Sequence, residues 1–432
     1  MLLLNLSLCY RRWLAIAALI MLPLPLSAQA LRADVKALNP PPRVLSLSVG
    51  TNFMYDSNVF RLSPVIDPVL LTGQSTKADQ ILVTTAALTL YKNFGQQRIE
   101  ATGSIVDNRY QNFDFLNFVG KNYTAAWHWR LTPYFHGTLS SSHREALNNF
   151  ANLTGFVNSS NRNLRTDDNY RFEGIFELTR SWHLLGGVSH TTVRNSRLTV
   201  QDFDNKVLSA DGGIRYSLPS GTTLTYRVRT GEGDFFKREV PDAVNLFDTR
   251  FEEMEHGLQL VWPVTIKTSI NARIAHLDRK HDHFHQRDFS GLIGNFDINW
   301  DVTSKTRLTA SFARELGNFQ TAARFQLAQF QTFSSSFAAT NRYSLTPIWQ
   351  ITAKTALRLR YDYMTRDFHG AIVPLPTDDR ADSQHSGSII LDWQPVNTVS
   401  LSASLQRDHR TSNLKTYEYD NIAASITAKL NF

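Results

Sequence analysis

From residue 44 to residue 432 the chain alternates apolar and polar side chains with a period of two, the spacing of a strand with one apolar face. At the carboxyl end Ile422, Ala424, Ile426, Ala428, Leu430 and Phe432 share one face, and Asn421, Ser425, Thr427, Lys429 and Asn431 share the other. Tyr123, Ala125, Trp127, Trp129 and Leu131 stand in the same way against Asn122, Thr124, His128 and Arg130. Leu357, Leu359, Tyr361 and Tyr363 stand against Arg358, Arg360 and Asp362. About eighteen such segments follow one another, each long enough for the ~9–11 residues with which a tilted strand crosses hydrocarbon. Their expected spans are 44–56, 78–92, 97–111, 120–132, 134–146, 168–180, 182–196, 204–218, 221–233, 249–262, 265–278, 287–301, 305–317, 336–350, 355–368, 380–394, 397–410 and 416–432.

A soluble β-sandwich also alternates, but it closes one core in ~100–250 residues and would divide this length into domains. No linker or change of composition interrupts residues 44–432. The connections alternate as well. Tight turns such as Thr132-Pro133, Pro219-Ser220-Gly221, Pro263-Val264 and Pro395-Val396-Asn397 interleave with long polar segments such as 57–77, 147–167, 232–248 and 317–335. Short turns on one rim and long loops on the other mark an outer-membrane barrel. Trp127, Trp129, Trp182, Trp262, Trp300, Trp349 and Trp393 all fall near an expected short turn, which predicts an indole girdle at the membrane interface. The expected fold is therefore all-β, an antiparallel transmembrane β-barrel of about 18 strands over 44–432.

Residues 1–30 read as a secretory signal peptide, with Arg11 and Arg12 as the charged region, an apolar stretch from Trp13 to Leu26, and Ala28-Gln29-Ala30 as the cleavage site. The residues around the arginine pair suit a twin-arginine signal poorly, so the ordinary secretory route is expected. Residues 31–43 would form a periplasmic amino-terminal segment. Past residue 30 there is no apolar run near the ~18 residues of a spanning helix. The one cysteine, Cys9, precedes the apolar stretch of the leader, so the mature chain is expected to have no disulfide, thiolate nucleophile or cysteine metal site. The expected location is the cell outer membrane, and the expected partners are its lipid and its assembly machinery, which would read the terminal Phe432. The formal net charge of +7 in an exported chain points to a lumen or loops favouring anions rather than to nucleic acid.

In a barrel the polar face of each strand looks into the lumen, so the candidate pore-lining residues are Arg171, Glu173, Arg227, Arg229, Lys267, Arg273, Arg358, Arg360 and Asp362, with Glu177 and Asp297 beside them. Such charges either line a water-filled path or pair with one another and plug it. Arginines at alternate positions, Arg227/Arg229 and Arg358/Arg360, would place positive charge one strand repeat apart, where carboxylates or phosphates could bind in transit. Phe113, Phe115, Phe118, Phe319, Phe325, Phe330 and Phe333 crowd the longer loops; packing the loops down is favoured over stacking on sugars. His281, His283 and His285, near His276, lack a recognised ligand spacing, so a solvated cluster is favoured over a metal site. No G-x-S-x-G elbow or local triad pattern stands in the sequence, so no enzyme activity and no cofactor are expected.

Several stretches resemble the exosortase-associated (EpsL-type) exopolysaccharide-biosynthesis outer-membrane proteins, a branch of a porin group. They are Tyr55-Asp56-Ser57-Asn58-Val59-Phe60-Arg61-Leu62, residues 109–118 (RYQNFDFLNF), 122–127 (NYTAAW) and 144–150 (REALNNF), continued by Asn163-Leu164-Arg165-Thr166 and residues 182–188 (WHLLGGV). In the second half the likeness rests on the barrel pattern and the Trp393-Gln394-Pro395 turn. The resemblance implies a channel or scaffold in exopolysaccharide biosynthesis or export, with the polymer and its export components as partners, and it supplies no catalytic or binding residues. The alternatives are a general diffusion porin and an outer-membrane enzyme acting on lipid or glycan.

Overall fold

The computed structural model describes residues 44–148, 150–152, 162–238, 248–318, 335, 337–370 and 380–432. The expected signal peptide, the 31–43 segment, and Phe319, Phe325, Phe330 and Phe333 lie outside the described residues. Eighteen strands follow in chain order: β1 (Leu45–Asp56), β2 (Asp79–Phe94), β3 (Gln97–Tyr110), β4 (Phe118–Arg130), β5 (Phe135–Leu147), β6 (Leu164–Glu177), β7 (Trp182–Asn195), β8 (Asn205–Ser217), β9 (Thr223–Asp234), β10 (Arg250–Pro263), β11 (Thr268–His281), β12 (Phe289–Asp301), β13 (Thr306–Asn318), β14 (Phe337–Thr352), β15 (Thr355–His369), β16 (Ala381–Val396), β17 (Val399–Ser412) and β18 (Tyr419–Asn431). Each pairs antiparallel with its sequence neighbours, and β1 pairs with β18 to close the sheet on itself. Among the described residues no helix is long and apolar enough to cross a membrane. Closure leaves the sheet no free edge strand, as lipid requires of a β-structure.

The alternation decides which face meets lipid. Val49 and Phe53 on β1, Leu258 and Trp262 on β10, Leu359 and Tyr361 on β15, and Ile422 and Ile426 on β18 are large, apolar and exposed at alternate positions. Their sequence neighbours, such as Asn52, Gln259, Arg360 and Ser425, therefore face the lumen. The turns between β2 and β3, β14 and β15, and β16 and β17 are two residues long, whereas the opposite rim carries the 57–78 connection with its short helix α1 (Pro68–Thr72).

The seven tryptophans among the described residues stand at the short-turn end of their strands: Trp127 and Trp129 close to Arg130, Trp182 first in β7, and Trp262, Trp300, Trp349 and Trp393 within the last residues of theirs. Six are 43–50% exposed on the lipid face. Trp129, at 5%, lies in a furrow made by Gly137 and Gly174 and stacks on Phe172 at 5.7 Å. A Cβ at Gly137 would meet the Glu173 carbonyl at 2.0 Å and the Trp129 ring at 2.5 Å, so only glycine admits that ring.

Three expected strand starts move by three residues or more. Strand β6 begins four residues earlier than the alternation indicated, β11 begins at Thr268 rather than 265, and β18 at Tyr419 rather than 416. Lys267 is thereby placed in the exposed turn before β11 and not on a lumen-facing strand position, because Val264 to Lys267 form the reversal after Pro263.

Candidate channel lining

The lumen-facing charges gather into groups across the strands. Arg171 and Glu173 on β6, Asp211 on β8 and Arg227 on β9 make one: Arg171 reaches Asp211 at 3.0 Å and Glu173 at 3.4 Å, and Arg227 reaches Glu173 at 2.9 Å and Asp211 at 3.1 Å. A second group joins β9, β10 and β11. Arg229 pairs with Glu255 at 2.9 Å, Arg273 also pairs with Glu255, and Arg279 pairs with Glu253. Farther round, Arg358 meets Asp392 at 2.5 Å and Arg360 meets Asp362 at 2.6 Å. Near the turn rim Glu177 bonds His136 at 2.9 Å, and Asp297 accepts from Asn295 at 3.1 Å.

Of the expected lining residues, all but Lys267 thus stand on the lumen face, and the arginines are held against carboxylates rather than standing as bare positive charge. Asp211, Glu253, Glu255 and Asp392 complete the groups. Sequence reasoning missed them because they pair across strands, through a register that alternation alone does not set. Solvent still reaches the groups: the side chains of Glu173, Arg227 and Arg273 are 27%, 26% and 32% exposed. Pairs so placed are worth about 0–1 kcal/mol each. Their larger effect is on the field in the lumen.

The 57–78 connection lies on the lumen side of the loop rim. Arg61 pairs with Asp56 at 2.8 Å, and Asp56 lies on the lumen face of β1. Burial opposes the Arg61 charge, yet the Asp56 carboxylate outweighs it and holds the guanidinium above its ordinary pKa. Asn58 donates to the Asp420 carbonyl at 3.1 Å and Ser63 to the Lys415 carbonyl at 2.7 Å, which ties the connection to the β17–β18 loop. On its other side Phe60 meets Phe113 and Phe150, each at 4.8 Å between ring centres, in a cluster with Leu62, Ile66 and Leu116. Asp79 accepts from the backbone of Gln111, Asn112 and Phe113 and fixes the β3–β4 loop under it. Phe113 is wholly buried, packing the loop down.

His281, which ends β11, and His283 and His285 in the loop after it each face an aspartate: His283 Nδ1 lies 3.2 Å from Asp248, His285 Nδ1 3.1 Å from Asp288, and His281 Nδ1 3.4 Å from Asp288. Among the described residues no group of three histidine, cysteine or acidic side chains is placed to hold a metal ion.

Fold and lining together define a transmembrane β-barrel of the outer-membrane kind, with a charged, solvent-reached interior. No family model matches the chain, and no curated protein matches it. Among solved structures it is similar to OccAB3 of Acinetobacter baumannii, with 10% identity over 90% of this chain and 99% of that one, at a TM-score of 0.47. It is similar to the outer-membrane protein OpdK of Pseudomonas aeruginosa, at 8% identity, the same coverage and 0.46, and to the siderophore receptor PirA of that organism, at 11% identity over 91% and 81%, and 0.45. These likenesses concern strand architecture alone.

Proposed function

We propose that this barrel is a channel for hydrophilic solutes, working by a water-filled lumen whose charges are compensated in place. One observation carries the reading: Arg171, Arg227, Arg229, Arg273, Arg358 and Arg360 are ion-paired on the lumen face, yet a fifth to a third of the side chain at Arg171, Arg227 and Arg273 remains open to solvent. A closed sheet of eighteen strands leaves an interior too wide for side chains alone to fill. The inward lean of residues 57–78, held by Arg61 on lumen-facing Asp56, would narrow the mouth. Planar-bilayer recording tests this. Wild type should conduct with weak ion preference, and Glu173→Gln with Asp211→Asn, which leaves Arg171 and Arg227 uncompensated, should favour anions, more so at low salt. A folded barrel that never conducts would refute the channel.

The finer reading, passage or scaffolding of an exopolysaccharide, is supported by the resembling sequence stretches and by no residue of the lining. Deleting the gene and measuring cell-bound and secreted polysaccharide tests it: unchanged amounts would leave the diffusion channel standing alone.

A further inference from the structure

The seam between β12 and β13 stops short of the loop rim. Its ladder runs from Asp301–Arg307 to Gly294–Arg314 and ends. The flanking seams continue, β11 with β12 as far as Arg279–Phe289 and β13 with β14 as far as Asn318–Phe337. Residues 289–293 and 315–318 therefore remain strands without being partners of each other.

Side-chain facing shows how they part. Ile274 and Leu292 point to lipid, which puts Leu277 on β11 and Phe289 on β12 on the lumen face. Tyr343 and Trp349 point to lipid on β14, and their register with Phe312 and Thr306 gives Leu316 and Phe337 the outward positions of their strands. Yet Leu277, Leu316 and Phe337 form one buried cluster, with Phe289 and Ile293 packed against it. The Phe289 and Phe337 rings meet edge to face at 5.3 Å. The outer face of the β13–β14 top thus lies against the inner face of β11–β12, as one board laps another. Its opposite face is covered too, by Phe368, Leu414 and Tyr417 around Ala338, so Phe337 to Thr340 are buried in succession.

A parted seam leaves ladder groups without strand partners, and on the side toward lipid no water satisfies them. Arg314 meets part of that need: its Nε donates to the Leu292 carbonyl at 3.0 Å and its Nη1 to Asn341 Oδ1 at 2.9 Å. Leu292 itself is 53% exposed on the lipid face, so the lap opens toward acyl chains.

We propose that this lap is a lateral port through which an acyl chain of an outer-leaflet lipid reaches the lumen wall, with Leu316 and Phe337 as its seal. The mouth faces lipid, and Leu277, Phe289, Ile293, Leu316 and Phe337 offer a passing molecule no charge and no side-chain hydrogen bond, which selects hydrocarbon. The port does not depend on the channel reading, since a chain can enter the lap whether or not the lumen conducts.

The test uses the full barrel in nanodiscs containing a phospholipid with a diazirine in its acyl chain, with photolabelled residues mapped by mass spectrometry. Label is expected on lumen-face Leu277, Phe289 and Ile293 as well as on lipid-face Ile274. Phe337→Ala should raise the lumen-face label. Leu316→Trp, which enlarges the seal, should lower it, as should Leu292→Cys with Leu316→Cys joined by a short thiol linker; Ile274 should label as before in both. Label confined to the lipid face in wild type and in Phe337→Ala would overturn the port, as would lumen-face label that persists in both closed variants. Conductance of the same samples separates a failed port from a failed channel, because each readout can be lost alone.

Discussion

Two seams of this wall lose their ladder at a similar height, and only one of them laps. Between β4 and β5 the pairing stops at Tyr123–His143, as it stops at Gly294–Arg314 between β12 and β13. Above the first break the backbone N–H of Lys121 donates to Glu145 Oε2 at 2.8 Å, and that of Glu145 donates to Asn122 Oδ1 at 2.9 Å. Carboxylate and amide side chains take the place of missing carbonyls, and the strands stay abreast. Above the second break the positions that match Lys121, Asn122 and Glu145 carry Leu292, Ile293 and Leu316, which can replace no rung; Glu315 beside them is on the lumen face, and a single guanidinium, that of Arg314, reaches across. The loss of a ladder therefore does not open a barrel wall by itself. What stands at the vacated positions decides whether the strands hold level or slide over one another.

That contrast breaks first at the membrane. Phe296 points to lipid on β12 below its break, and Tyr123 points to lipid on β4 at its break. Phe296→Arg should destabilise by about 2–4 kcal/mol if it sits near the midplane, and Tyr123→Arg by about 0–1 kcal/mol near the interface. Urea midpoints in detergent would show it, and equal costs would place the two breaks at different depths. The next effect concerns a glycine at each break, Gly294 on the last rung of its seam and Gly120 just above the end of its own. A Cβ at Gly294 would meet the Arg273 carbonyl at 2.2 Å, whereas one at Gly120 would meet the Glu145 carbonyl at 3.1 Å. Gly294→Ala is expected to cost about 1–3 kcal/mol and Gly120→Ala well under that. A reversed order in the same unfolding experiment would mean that β12, not β4, has room to give.

Smaller still is the effect of removing the substitutes. Asn122→Leu with Glu145→Leu leaves two partly solvated N–H groups without acceptors, an expected loss of about 1–2 kcal/mol. The sharper readout is amide hydrogen exchange, which should quicken at Lys121 and Glu145 until that seam behaves like residues 315–318. Unchanged exchange would show that the side chains only decorate a seam held by its neighbours.

Much of the barrel is legible in the sequence because period two survives any error of neighbour. The spans 97–111 and 182–196 fall within a residue of β3 and β7, and the tryptophan rim follows once the short turns are located. Pairing is less legible. Arg227 finds Glu173 from 54 positions away and Asp211 from the strand between, and nothing local in either stretch announces the other. Lys267 was misplaced because Thr265 and Ile266 prolong the alternation into a turn. The lap of β13–β14 over β11–β12 leaves only local faults in the alternation, Phe289 and Ile293 on the polar face of 287–301 and Arg314 on the apolar face of 305–317, and alternation gives each strand its two faces but not the company each face keeps.

The closure between β1 and β18 has a consequence in time. There the backbone N–H of Phe432 donates to the Leu47 carbonyl at 2.8 Å and Leu47 N–H donates back at 3.3 Å. Until those bonds form, both terminal strands are bare edges, ready to add a strand from another chain. Loop entropy grows only slowly with chain length, so the delay comes from curling every other seam into register first. Assembly thus has one moment of commitment, and it comes late. A slip of one position at that moment would turn the lumen face of a terminal strand outward, and the finished wall offers no cheap way to undo it.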